Sequence, residues 1–80
     1  MILANNPGII LTYDPDVVVY FADANLKQAV KDALGITTDP TQAQMATLIQ
    51  LWADNRGITD LTGIEYALNL RILQLNSNQI

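Results

Sequence analysis

The chain contains no cysteine and no histidine. The first absence excludes disulfides and thiolate zinc sites, and it leaves the redox compartment open. The second removes the commonest general base and a frequent metal ligand. Positive charge is scarce as well: Lys27, Lys31, Arg56 and Arg71 stand against eight acids, for a net charge of −4. Four scattered cations cannot replace the counterions of a nucleic acid, and they disfavour an anionic membrane surface. No apolar run approaches the roughly 20 residues needed to span a bilayer, so membrane insertion is not expected. The start, Met1 to Tyr13, lacks the basic n-region of a signal peptide, so either the protein is not exported or its signal lay upstream and has been removed.

Apolar residues, by contrast, are plentiful. They make up 50% of 80 residues while charged residues make up 15%, which excludes a disordered composition. A chain this short forms at most one small domain and buries only about 60% of its unfolded surface. So rich a supply of apolar side chains implies that some of them meet a partner or further chain.

Local patterns divide the sequence. Residues 9–13 (IILTY) and 17–21 (VVVYF) are β-branched and aromatic and read as strands, with a turn at Asp14-Pro15-Asp16. A hairpin is one arrangement; a single strand after a linker is the other. From Asp23 the period changes. Leu26, Ala29, Val30, Ala33 and Leu34 form one apolar stripe at helical spacing, which predicts a helix over 24–34 with Asp23 as N-cap and Gly35 as C′ residue. Asp39, Pro40 and Gln42 suit the N-cap, N1 and N3 places of a second, short helix at 40–46. A strand-like run, LIQLW, follows at 48–52.

The most informative feature is a repeat. Leu70, Leu73, Leu75, Asn78 and Ile80 match the pattern L-x-x-L-x-L-x-x-N-x-L, with isoleucine in the last place. Twenty-two residues earlier the same places hold Leu48, Leu51, Ala53, Arg56 and Ile58, so the first coil keeps the apolar positions and loses the asparagine. Between the two, Ile58, Leu61, Ile64, Ala67, Leu70 and Leu73 recur every third residue. That period fits neither strand nor α-helix. It fits a chain winding round a core with 3₁₀ turns at its corners, expected here at 61–66, with Gly57 and Gly63 relieving the bends. A buried asparagine after each strand can satisfy backbone groups of its own turn and the next.

These residues carry a family likeness. The helix Leu26–Leu34, the phrases Ala53-Asp54-Asn55-Arg56-Gly57-Ile58 and Gly63-Ile64-Glu65-Tyr66, and the close Asn76-Ser77-Asn78-Gln79-Ile80 resemble the helical cap and first repeats of internalin-like bacterial surface proteins. The likeness covers about residues 20–80; Trp52 and Ala67 depart from the usual residues at their places. It implies a cap that shields the end of a leucine core and parallel strands that form a concave recognition face. On this sequence Leu51, Ala53, Leu73 and Leu75 then point inward. Gln50, Trp52 and Asp54 point outward beside Ile72, Gln74 and Asn76, and these six are the candidate ligand-binding residues. Trp52 is either a contact anchor or a packing residue against the cap or a neighbouring coil.

Other clusters have plainer explanations. Asp14, Asp16 and Asp23 lack the spacing of a calcium loop and serve a turn and a cap instead. Asp54, Asp60 and Glu65 have no nucleophile motif beside them and fall on the solvated side of the repeat. No catalytic residue, metal or cofactor is expected. The expected fold is α/β, a leucine-rich-repeat solenoid fragment with an N-terminal helical cap, short parallel strands and 3₁₀ turns. Residues 1–16 would be an N-terminal extension or strand, 17–47 the cap and 48–80 the first repeats. The expected function is a non-catalytic protein- or glycan-binding module of a bacterial surface or secreted protein; the alternative is a positioning domain within a larger secreted enzyme. An open C-terminal coil, with an unpaired strand edge, would further favour self-association.

Overall fold

Asp23 starts the first helix as the sequence requires. Its carboxylate accepts from the N–H groups of Asn25 and Leu26, and α1 (Ala24–Leu34) ends at Gly35 in the left-handed region. The computed structural model describes residues 15–80. After α1 come a second helix, α2 (Gln42–Ala46), strand β1 (Gln50–Trp52), a 3₁₀ turn (Ile64–Tyr66) and strand β2 (Ile72–Gln74). The expected strand at 9–13 lies outside the described residues.

Two local expectations are corrected. Residues 17–21 do not form a ladder strand. They make one antiparallel bridge, Val18 to Thr41. The N–H of Val19 donates to the carbonyl of Pro40, and that of Gln42 donates to Val17. Pro40 has no N–H to extend the ladder, and the chain enters α2 directly afterwards. The second helix also starts later than expected. Thr41, not Asp39, is its N-cap, in a reciprocal capping box with Gln44. Asp39 instead pairs with Lys27 of α1 at 2.6 Å, and Pro40 is fully buried.

The two strands are parallel, with Gln50 opposite Ile72, Leu51 opposite Leu73 and Trp52 opposite Gln74. This is the register of the twenty-two-residue repeat. It continues past the strands: Ala53 N–H donates to Gln74, Asn55 N–H to Asn76, and Gln79 N–H to Ile58. Each strand then turns through a non-glycine residue of positive φ, Asn55 at 56° and Ser77 at 61°, again at matching places of the repeat.

Leu26, Val30, Met45, Leu51 and Ile58 are fully buried, with Ala29, Leu48 and Ala53 beside them. One hydrophobic cluster thus joins α1, α2 and the first coil. β1 packs against both α1 and β2. Leu51 is therefore covered, whereas its repeat partner Leu73, expected inward, is 39% exposed. Gly63 marks the tightest approach: a Cβ placed there would lie 2.5 Å from the Phe21 ring and 2.8 Å from the carbonyl of Tyr20. Among the described residues, no helix is long and apolar enough to cross a membrane.

Candidate ligand-binding face

Burial alternates strictly from Gln50 to Asp54. Gln50, Trp52 and Asp54 are exposed, while Leu51 and Ala53 between them are buried. Strand pleating explains this, since successive side chains point to opposite sides. The single tryptophan is 52% exposed despite its size. Its indole N–H donates to the side-chain oxygen of Gln50 at 3.3 Å, which ties the ring to its neighbour on the same side. Asp54 reaches across the sheet: its Oδ1 accepts from the N–H of Asn76 at 2.8 Å. The six candidate residues thus lie in three cross-strand pairs, Gln50 with Ile72, Trp52 with Gln74, and Asp54 with Asn76. Alternation is lost in the second coil, where Ile72, Leu73 and Asn76 are exposed and Gln74 and Leu75 half-buried.

Behind this face one asparagine joins the two coils. Asn78 Oδ1 accepts from the N–H groups of Arg56 and Ile58, at 2.9 and 3.0 Å. Its Nδ2 donates to the carbonyls of Ala53 and Leu75, at 2.7 and 3.0 Å. The repeat asparagine therefore serves its own turn and the preceding one. Arg56, which takes the asparagine's place in the first coil, turns the other way. Its guanidinium pairs with Asp32 of α1 at 2.8 Å, and Asn25 of α1 donates to the carbonyl of Gly57. Where the asparagine repeat ends, polar contacts to the helix take over.

Asp23 has a second role that its cap position conceals. Its Oδ2 accepts from the N–H and hydroxyl of Thr59 and from the N–H of Asp60. The Thr59 backbone N–H is the main cause that lowers its pKa to about 2, with the Asn25 and Leu26 N–H groups adding to the effect. Asp32 is lowered chiefly by its hydrogen bond to Arg56, and Asp39 by Lys27. Asp60 is lowered by Thr62. These carboxylates are engaged in fixing the chain, and among the described residues no three acidic groups converge as a metal site would require. A separate shallow groove of about 410 Å³ lies at the start of the strands, lined by Ile49, Leu68, Asn69, Leu70 and Arg71.

No family model matches the chain. Internalin H of Listeria monocytogenes serovar 1/2a (strain ATCC BAA-679 / EGD-e) is 36% identical over 73 residues, which is 88% of this chain and 13% of that protein. A solved structure of an internalin (inlF) from Listeria monocytogenes aligns with a TM-score of 0.66 at 31% identity, over 72% of this chain and 18% of that one. A structure with the CBM51-2 and INT domains of Clostridium perfringens ZmpB aligns with a TM-score of 0.77 at 30% identity, over 95% of this chain and 16% of that one. The same pair of domains is also known with CBM51-2 in complex with GlcNAc. The chain thus spans less than a fifth of the proteins it matches. Its cap helix, repeat residues and parallel strands, together with these likenesses, make it an internalin-like bacterial leucine-rich-repeat sequence, with the N-terminal helical cap and first repeats.

Proposed function

We propose that the chain is the capping start of a leucine-rich-repeat solenoid whose strands present a concave recognition face. Residues 17–47 form the cap and 48–80 the first coils. The parent protein works outside the bacterial cell, at the surface or secreted, and binds a protein or glycan without catalysing a reaction. The observation that carries this reading is Trp52: a half-exposed indole, held by Gln50, in a row of exposed polar side chains on a rigid strand. Aromatic anchors of this kind dominate binding energetics, because they bury much area at low entropic cost. Gln50, Asp54, Ile72, Gln74 and Asn76 complete the face.

Trp52 is also the probe. Its fluorescence is to be followed while the chain is titrated with a panel of glycans, GlcNAc oligomers included, and of extracellular proteins. Saturable binding that Trp52→Ala and Gln74→Ala weaken supports the face. Binding that none of the six substitutions alters refutes it.

A second reading is favoured by the Clostridium perfringens neighbour, in which the matching chain carries CBM51-2 beside INT domains. There the chain would be a spacer that positions other domains of a larger secreted enzyme. Removing its counterpart from such a parent would then alter domain spacing in small-angle scattering and leave ligand affinity unchanged. Self-association is a finer expectation on either reading. Among the described residues β2 pairs only with β1, and Leu73 and Ile80 are exposed beside it. Light scattering that shows a monomer at high concentration would exclude it.

A further inference from the structure

We propose that the Trp52–Asp54 pair takes a cationic side chain, a lysine or arginine presented by a protein partner. This rests on the reading of the strand face as the binding surface and names the chemistry it selects. Trp52 ends β1 and Asp54 opens the turn two residues later, both exposed on either side of buried Ala53. An ammonium or guanidinium over the indole ring can therefore also reach the carboxylate. Asp54 is held in place, since Oδ1 accepts from Asn76 N–H, and among the described residues no contact occupies Oδ2. The indole is held in turn by Gln50. Both halves of the pair are organised before a ligand arrives, which lowers the entropic cost of binding.

Charge decides between ligand classes. Asp54 is the one ionisable side chain among the six face residues, and no cation stands with it. Arg56 turns away to Asp32, and Lys27 to Asp39. A neutral ligand that covers Asp54 would strip water from a carboxylate and return no charge, a costly desolvation. A cation compensates that loss and gains the ring quadrupole as well. The chain's net charge of −4 adds attraction at longer range.

The test uses the 80-residue chain and Trp52 fluorescence, with tetralysine and chitotetraose as separate probes. Tetralysine should bind saturably, about fivefold more weakly at 300 mM than at 20 mM salt, because exposed charge pairs are screened. Asp54→Asn, whose amide oxygen can still accept from Asn76, should weaken tetralysine about fivefold. Asp39→Asn removes the same charge elsewhere and should leave tetralysine affinity within a factor of two. Equal losses in the two variants would mean diffuse attraction and overturn the proposal. Chitotetraose binding that ignores both salt and Asp54→Asn, with no response to tetralysine, would overturn the ligand class and leave the face intact. Silence of Trp52 toward both probes would overturn the cation site; the wider face reading then stands or falls on the titrations with proteins.

Discussion

Asn78 gives the sharpest test of how the two coils hold together. Its side chain makes five hydrogen bonds to backbone groups, two accepted and three donated, the longest to the Asn76 carbonyl at 3.5 Å, and three of its five partners belong to the preceding coil. Asn78→Ala takes this partner from two N–H groups and three carbonyls. A net hydrogen bond contributes about 0.5–1.5 kcal/mol, and the site is half-buried, so water restores part of the loss; the expected cost is about 2–4 kcal/mol. That is a large share of the roughly 5 kcal/mol a small domain commands. Asn78→Asp keeps the acceptor and turns the donor into an oxygen facing three carbonyls. The fold then favours the protonated carboxyl, which raises its pKa above the unfolded value near 4. Stability relative to the parent chain is therefore recovered as pH falls below that raised pKa, and lost as pH rises through it. Urea unfolding, followed by circular dichroism at pH 3.5 and 7, measures both effects as differences from the unsubstituted chain. The reasoning fails if Asn78→Ala costs under about 0.5 kcal/mol, the range of an ordinary surface change, or if the Asn78→Asp penalty is equal at the two pH values.

Three further outcomes follow from the packing. Gly63→Ala should cost about 2–4 kcal/mol, since its φ of 109° strains any side chain and the new methyl meets Phe21 and the Tyr20 carbonyl. Gly35→Ala, at φ 69° in open space, should cost only about 1 kcal/mol; equal costs by thermal unfolding would remove the close-packing argument. Leu51→Ala should cost about 2–5 kcal/mol because the side chain is wholly enclosed, and Leu73→Ala about 1 kcal/mol or less, as denaturant midpoints will show. Asp23 titrates at about 2 when folded, against 3.8 otherwise, so its stabilising effect is complete above pH 4 and is lost as pH falls toward 2. Asp23→Asn should flatten the change in melting temperature across that interval; an unchanged slope would show that other carboxylates carry it.

Local signals in the sequence were reliable where one residue decides the outcome. Asp23 and Gly35 bound the first helix at the expected places, because an N-cap carboxylate and a left-handed glycine act within a single turn. The register of β1 and β2 was legible because the repeat spacing dictates it. The start of α2 was not. Asp39-Pro40 has a good helix-starting pattern, yet Lys27 claims Asp39 and the Val18–Thr41 bridge holds the chain extended past Pro40. Both competitors are distant in sequence. The same limit hid the single bridge made by residues 17–21, whose partner Thr41 follows Pro40, and the junction role of Asp23, whose donors Thr59 and Asp60 lie far along the chain. Asn55 and Ser77 were also missed, because positive φ at a non-glycine residue leaves only a weak compositional trace.

The cap and the face depend on one another through the first coil. A lone coil cannot bury its own apolar side chains. Leu51 is enclosed because α1 packs on β1, and the price of an irregular first coil is met by polar contacts from that helix: Asp23 to Thr59 and Asp60, Asn25 to Gly57, Asp32 to Arg56. Trp52 thus ends a strand packed between the helix and β2, and Asp54, in the turn after it, is tied to Asn76. Arg56 is the telling substitution. An asparagine there would have lacked a preceding coil to serve, whereas arginine is long enough to reach the carboxylate of Asp32. The loss of the repeat asparagine in the first coil is thus the feature by which the repeat gives way to the cap.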